Sequence, residues 1–165
     1  MKRIVILILI LAPVFTFAQG APKLEIDWIP LEKAKEYSKK YNKDILIFFY
    51  KKDCEYCDKM KQKTLSDPSV INMINNNFFP VKIDSRTKDT IIYNEVAYGN
   101  QQPESSGRHD WRHDFYAEVA AFSKGSQITT PTIVLFNSKF EKINPILPGY
   151  HPSEHLKRKL KKYIN

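Results

Sequence analysis

The chain is poor in cysteine and glycine: 165 residues contain two of the first and five of the second. Two cysteines permit a single intramolecular bridge, which excludes a scaffold stapled by several disulfides. No internal repeat is visible, which excludes a repeat array. No uncharged apolar run reaches the ~18 to 20 residues that span a bilayer as a helix; the N-terminal run, Ile4 to Ala18, has 15. No recognised nucleic-acid-binding motif is present.

What is there suits one globular domain. Hydrophobic content is 42% with 13% aromatic residues, ample for one core. Residues 1–18 read as a signal peptide. Lys2-Arg3 is a positive n-region, Ile4 to Ala12 is an apolar h-region, and Thr16-Phe17-Ala18 offers small residues at a cleavage site after Ala18. No cysteine closely follows the h-region, which argues against a lipid-anchored cysteine. The alternative is an uncleaved membrane anchor. Cleavage leaves a domain over 19–165, in the periplasm or secreted. Net charge is +8, or +6 once Lys2 and Arg3 are removed. Lys157, Arg158, Lys159, Lys161 and Lys162 form a basic cluster that reads as the solvated face of the last helix. Nucleic acid is not expected as a partner of an exported chain.

Cys54 and Cys57 lie in KKDCEYCDKM (51–60). In an oxidising compartment an even cysteine count usually means structural disulfides. A bridge between these two closes a loop of two residues and restricts the unfolded chain very little. A functional dithiol is the better reading. ILIFFY (45–50) is a buried strand of the kind central sheets use, and KMKQKT after the cysteines reads as helix. The order strand, turn, Cys54, helix puts Cys54 at a helix N-terminus, where free N–H groups stabilise a thiolate. Cys57, one turn in, lies beneath it. Cys54 is therefore expected to be accessible and Cys57 buried, with Tyr56 covering part of the pair.

The remaining pattern predicts a helix over 31–41, a second opening at Asp67-Pro68, and a strand over 78–83. A hairpin turns at Asn94-Glu95, a loop covers 101–112, and a helix covers 113–122. A proline-led strand over 129–137, another over 140–146, and a terminal helix from Pro152 complete the chain.

This order resembles the thioredoxin superfamily. The residues that carry the resemblance are the buried strand before Cys54-Glu55-Tyr56-Cys57, Thr130-Pro131-Thr132 opening the next-to-last strand, and Gly149 before the last helix. KDCEYCDKMKQKTLSDPSV further resembles exported thioredoxin-like domains such as the C-terminal domain of the membrane thiol:disulfide interchange protein. The resemblance implies an α/β thioredoxin-like fold, a central mixed β-sheet flanked by helices; an insertion (about 85–112) before the cis-Pro strand departs from the family's minimal pattern. It implies that Pro131 is cis and sets Thr130 beside the dithiol, where the Thr130 backbone would pair with substrate. Cys54 and Cys57 would be catalytic; Thr130, Pro131 and Tyr56 would bind substrate. Two further departures stand out. The family usually has Trp where Asp53 stands, and its buried carboxylate falls at Phe48.

The expected function is an exported thiol:disulfide oxidoreductase that uses no cofactor or metal and works as a monomer. Its partners would be disulfide-containing client proteins and a membrane electron donor. The alternative is a copper or zinc carrier of the same fold, joining the cysteines to a histidine. His109/His113 and His151/His155 both have i, i+4 spacing, but 51 residues separate Cys57 from His109, and Pro152 interrupts the second pair. The histidines are read as solvent-exposed, with His113 the candidate ligand.

Overall fold

A computed structural model describes residues 25–100, 112–121 and 127–164. The expected signal peptide (1–18), most of the expected 101–112 loop, His109 and Phe122 lie outside the described residues.

Helix α1 (Leu31–Tyr41) ends at Asn42, whose φ of 48° is the left-handed stop that asparagine tolerates. Strand β1 (Ile45–Tyr50) follows. Its side chains alternate across the sheet, and both sides are apolar. Ile45, Ile47 and Phe49 pack into one cluster, while Leu46 and Phe48 pack into the other. That explains the unbroken apolar run.

The cysteine helix α2 (Glu55–Lys59) continues into a π-helical turn, Met60–Thr64, closed by Leu65 N–H donating to Met60 O at 2.9 Å. The sequence reads as plain helix here. The wider turn buries both Met60 and Thr64. Helix α3 (Pro68–Asn77) starts as expected: the Asp67 carboxylate accepts from Ser69 N at 2.8 Å and Val70 N at 3.3 Å.

Strand β2 (Phe79–Asp84) runs parallel to β1. The inserted segment holds a separate hairpin, β3 (Ile91–Tyr93) and β4 (Val96–Tyr98). It turns at Asn94 and Glu95, both with positive φ (49° and 63°), as a two-residue hairpin turn requires. Helix α4 (Asp114–Ala120) leads to β5 (Thr132–Phe136), then β6 (Lys142–Pro148) and α5 (Ser153–Leu160).

The sheet order is β2-β1-β5-β6, with β5 antiparallel to both neighbours. This is the mixed sheet that the resemblance implies. One face packs on α1, the hairpin and α4. The other packs on the cysteine helix, α3 and α5. Among the described residues no helix is long and apolar enough to cross a membrane.

Candidate active site

Strand β1 delivers the chain to a tight turn. Asp53 has φ 54°, a left-handed conformation that a short acidic side chain accepts more readily than a bulky one. This redirects the backbone so that Cys54 becomes the N-cap of α2, as the sequence predicts. Its sulfur accepts from Cys57 N–H at 3.2 Å. Cys54 and Cys57 are joined as a disulfide, with Cα atoms 5.2 Å apart.

Cys54 is 7% exposed and Cys57 is 0% exposed. The order of exposure is the expected one, but the opening is narrower than expected: in the disulfide form Cys54 shows solvent only a small edge. Tyr56, expected as a partial cover, is itself 57% exposed.

Thr130 reaches the pair from 76 positions away. Cys54 Sγ is 3.7 Å from both Thr130 O and Thr130 Oγ1. The Thr130–Pro131 bond is cis. Two hydroxyls anchor this turn from behind, and neither stands out in the sequence. Tyr116 and Thr132 each donate to the Thr129 carbonyl, and Tyr116 is fully buried. Burial, foremost, pushes the Tyr116 phenol pKa up, so it stays a donor. On the far side, Gly149 N–H donates to Pro131 O at 2.7 Å. The φ of Gly149 is 79°, the left-handed region that favours glycine. Next to it, Tyr150 lies under Lys59 Nζ at 4.7 Å, which ties this segment to the cysteine helix.

The sheet face on the side of the cysteine helix carries aromatic rings. Phe48 is 2% exposed, stacks on Tyr50 at 6.1 Å and meets Trp28 at 6.1 Å. No carboxylate stands at that strand position. A 450 Å³ cavity lies at the β2 edge, lined by Ile29, Lys82, Asp84, Thr87 and neighbours; its lining includes neither cysteine.

The expectation of solvent-exposed histidines is corrected. His113 and His151 are 1% and 7% exposed. His113 caps α4 with Nδ1, which accepts from Phe115 N–H at 3.1 Å, so Nε2 carries the hydrogen and donates to Asp89 O at 2.9 Å. Both ring nitrogens are engaged, so His113 offers no lone pair to an ion shared with the cysteines. Among the described residues no group of three or more His, Cys, Asp or Glu could hold a metal.

The thioredoxin-like domain family matches residues 31–164, so the chain belongs to that family. No curated protein sequence matches it. Among solved structures it is similar to the DsbH oxidoreductase (19% identity, TM-score 0.54, covering 88% of this chain and 91% of that one). It is also similar to a thioredoxin from Thermus thermophilus (18%, 0.57, 84% and 87%). A third is the oxidised C-terminal domain of Neisseria meningitidis DsbD (17%, 0.50, 85% and 98%). At these identities the likeness is one of fold.

Proposed function

We propose that the protein is an exported thiol:disulfide oxidoreductase acting on disulfides of client proteins. The observation that carries this reading is the Cys54–Cys57 pair closed across the N-terminus of α2 and set against Thr130. A structural bridge of that loop length would contribute little stability. An exchange centre needs one sulfur at the surface and one behind it.

In the reductive direction, the Cys54 thiolate attacks one sulfur of a client disulfide. A Cys54–client bond forms, and the other client sulfur leaves as a thiolate. Cys57, having lost its proton, attacks Cys54 Sγ and expels the second client sulfur. Two electrons pass to the client, and Cys54–Cys57 is left oxidised. Cys57 N–H, already directed at Cys54 Sγ, and the α2 terminus favour the thiolate. Thr130 O and its neighbouring backbone take the client strand, and Tyr56 supplies exposed aromatic surface beside it. Regeneration needs a thiol donor, proposed to be a membrane protein facing the same compartment. The leader-like sequence of residues 1–18, a basic start followed by an apolar run, supports export.

Reduction of insulin by the purified mature protein, with dithiothreitol as donor, tests the proposal. Wild type accelerates precipitation of the insulin B chain; Cys54→Ser and Cys57→Ser return it to the rate of dithiothreitol alone. A wild-type rate no greater than that background rejects the proposal.

A further inference from the structure

Two histidines meet at the start of α5, on elements the exchange chemistry does not use. His151 stands just before Pro152, and His155 lies in the first turn of α5. Their ring centroids are 5.2 Å apart, with the planes at 74°. His151 is 7% exposed, yet neither its Nδ1 nor its Nε2 has a hydrogen-bond partner. Its backbone is pinned, because Thr64 Oγ1 on the π-helical turn donates to His151 O at 2.6 Å. A buried imidazole with both nitrogens idle is unusual, since buried polar atoms are nearly always satisfied. Something should occupy the space that the ring addresses.

We propose that His151 and His155 form a two-imidazole site for a borderline divalent cation of the Zn²⁺ class. The spacing fits. With Zn–N bonds of ~2.0 to 2.1 Å, each centroid stands ~3.2 Å from a shared ion, and a tetrahedral N–Zn–N angle puts the centroids about 5.2 Å apart. The rings are at that separation. A right-angled arrangement would require ~4.5 Å.

His155, Lys159 and the Pro148 carbonyl surround the His151 ring. The Pro148 carbonyl acts on the same ring without hydrogen-bond geometry. It is the available acceptor for the nitrogen turned away from the ion, an arrangement that orients metal-binding histidines. Lys159 opposes the ion's charge. The one acid of α5, Glu154, is held by Lys157 at 2.6 Å, so water completes the coordination. The site is separate from a cysteine–histidine carrier, because both sulfurs are bonded to each other. A bound ion would clamp residues 149–152 to α5. Through the Gly149–Pro131 hydrogen bond, that clamp reaches the turn beside Cys54.

The test uses the oxidised mature protein, whose cysteines cannot bind metal. After chelator treatment and desalting, it is titrated with ZnCl₂ in a non-coordinating buffer by isothermal calorimetry. Ring ¹⁵N resonances are followed in parallel. The expected result is one ion per chain, with both His151 and His155 ring signals shifted. His155→Gln, a change on a half-buried helix position, weakens binding about 10-fold or more, and His151→Gln does the same. Absence of saturable binding up to millimolar Zn²⁺ overturns the proposal and leaves a water as the partner of His151. Binding unchanged in His155→Gln, at any stoichiometry, overturns it equally.

Discussion

Cys54 Sγ and Thr130 face each other across 76 positions of sequence, the sulfur 3.7 Å from both the carbonyl and the hydroxyl oxygen of the threonine. That contact leaves Cys54 a narrow edge of solvent, while Cys57 has none. After reduction, iodoacetamide should therefore modify Cys54 faster than Cys57, with the ratio largest near neutral pH, where the N-terminus of α2 favours the Cys54 thiolate. Peptide mass analysis of a labelling time course reads the ratio. Equal rates at every pH would assign the nucleophile wrongly.

The turn that carries Thr130 depends on Tyr116, whose hydroxyl donates to the Thr129 carbonyl from the buried face of α4. Tyr116→Phe removes this bond and keeps the ring packed 4.9 Å from Phe49. Thr132 Oγ1 still serves the same carbonyl, so the acceptor is not orphaned. The expected loss is about 1 kcal/mol in urea unfolding, with a lower insulin-reduction rate. An unchanged rate would mean that the turn is held without Tyr116.

Much of this was legible in the sequence because it is written in short stretches. ILIFFY could only be a strand buried on both faces. Asp67-Pro68 could only open a helix, and Asn94-Glu95 forms the expected hairpin turn. The unread part depends on distant partners. His113 reads as an exposed residue at the start of a helix; its enclosure comes with Asp89 O, 24 positions back, and with its own N–H donating to Ser85 O. The π-helical turn at Met60–Thr64 has no local signature, since one extra residue per turn is selected by what Met60 and Thr64 pack against. Tyr116 and Thr132 are ordinary helix and strand residues, respectively, until the fold brings both to Thr129. Phe48 was legible as a departure. Its consequence, an aromatic stack with Tyr50 and Trp28 in place of a buried acid, was not.

The cap of α3 gives a pH dependence with a definite sign. The Ser69 hydroxyl hydrogen bond, foremost, lowers the Asp67 pKa below its ordinary value near 3.8, and the Ser69 and Val70 N–H groups add to this. A carboxyl lowered on folding contributes stability above its unfolded pKa and loses it as pH falls through the folded value. Asp67→Asn keeps the cap without the charge. Wild type should exceed Asp67→Asn in stability by a constant margin above about pH 5, and the margin should shrink as pH drops below about 4. Denaturant unfolding of both proteins from pH 7 to pH 3 measures it. A margin independent of pH would show that the carboxylate charge contributes nothing.

Export is tested on the native protein. N-terminal sequencing should find Gln19 as the first residue, with the chain recovered outside the cytoplasm. Retained Met1 on a cytosolic product would remove the compartment from the account and leave the dithiol chemistry standing.

Trapping of a mixed disulfide distinguishes the attacking sulfur, Cys54, from the resolving one, Cys57. The reduced Cys57→Ser protein, incubated with a disulfide-containing client and run on a non-reducing gel, should accumulate a mixed disulfide through Cys54 that dithiothreitol dissolves. Reduced Cys54→Ser should accumulate little, because the remaining sulfur at position 57 is fully buried. Equal trapping by the two variants, or trapping by Cys54→Ser alone, would contradict the account.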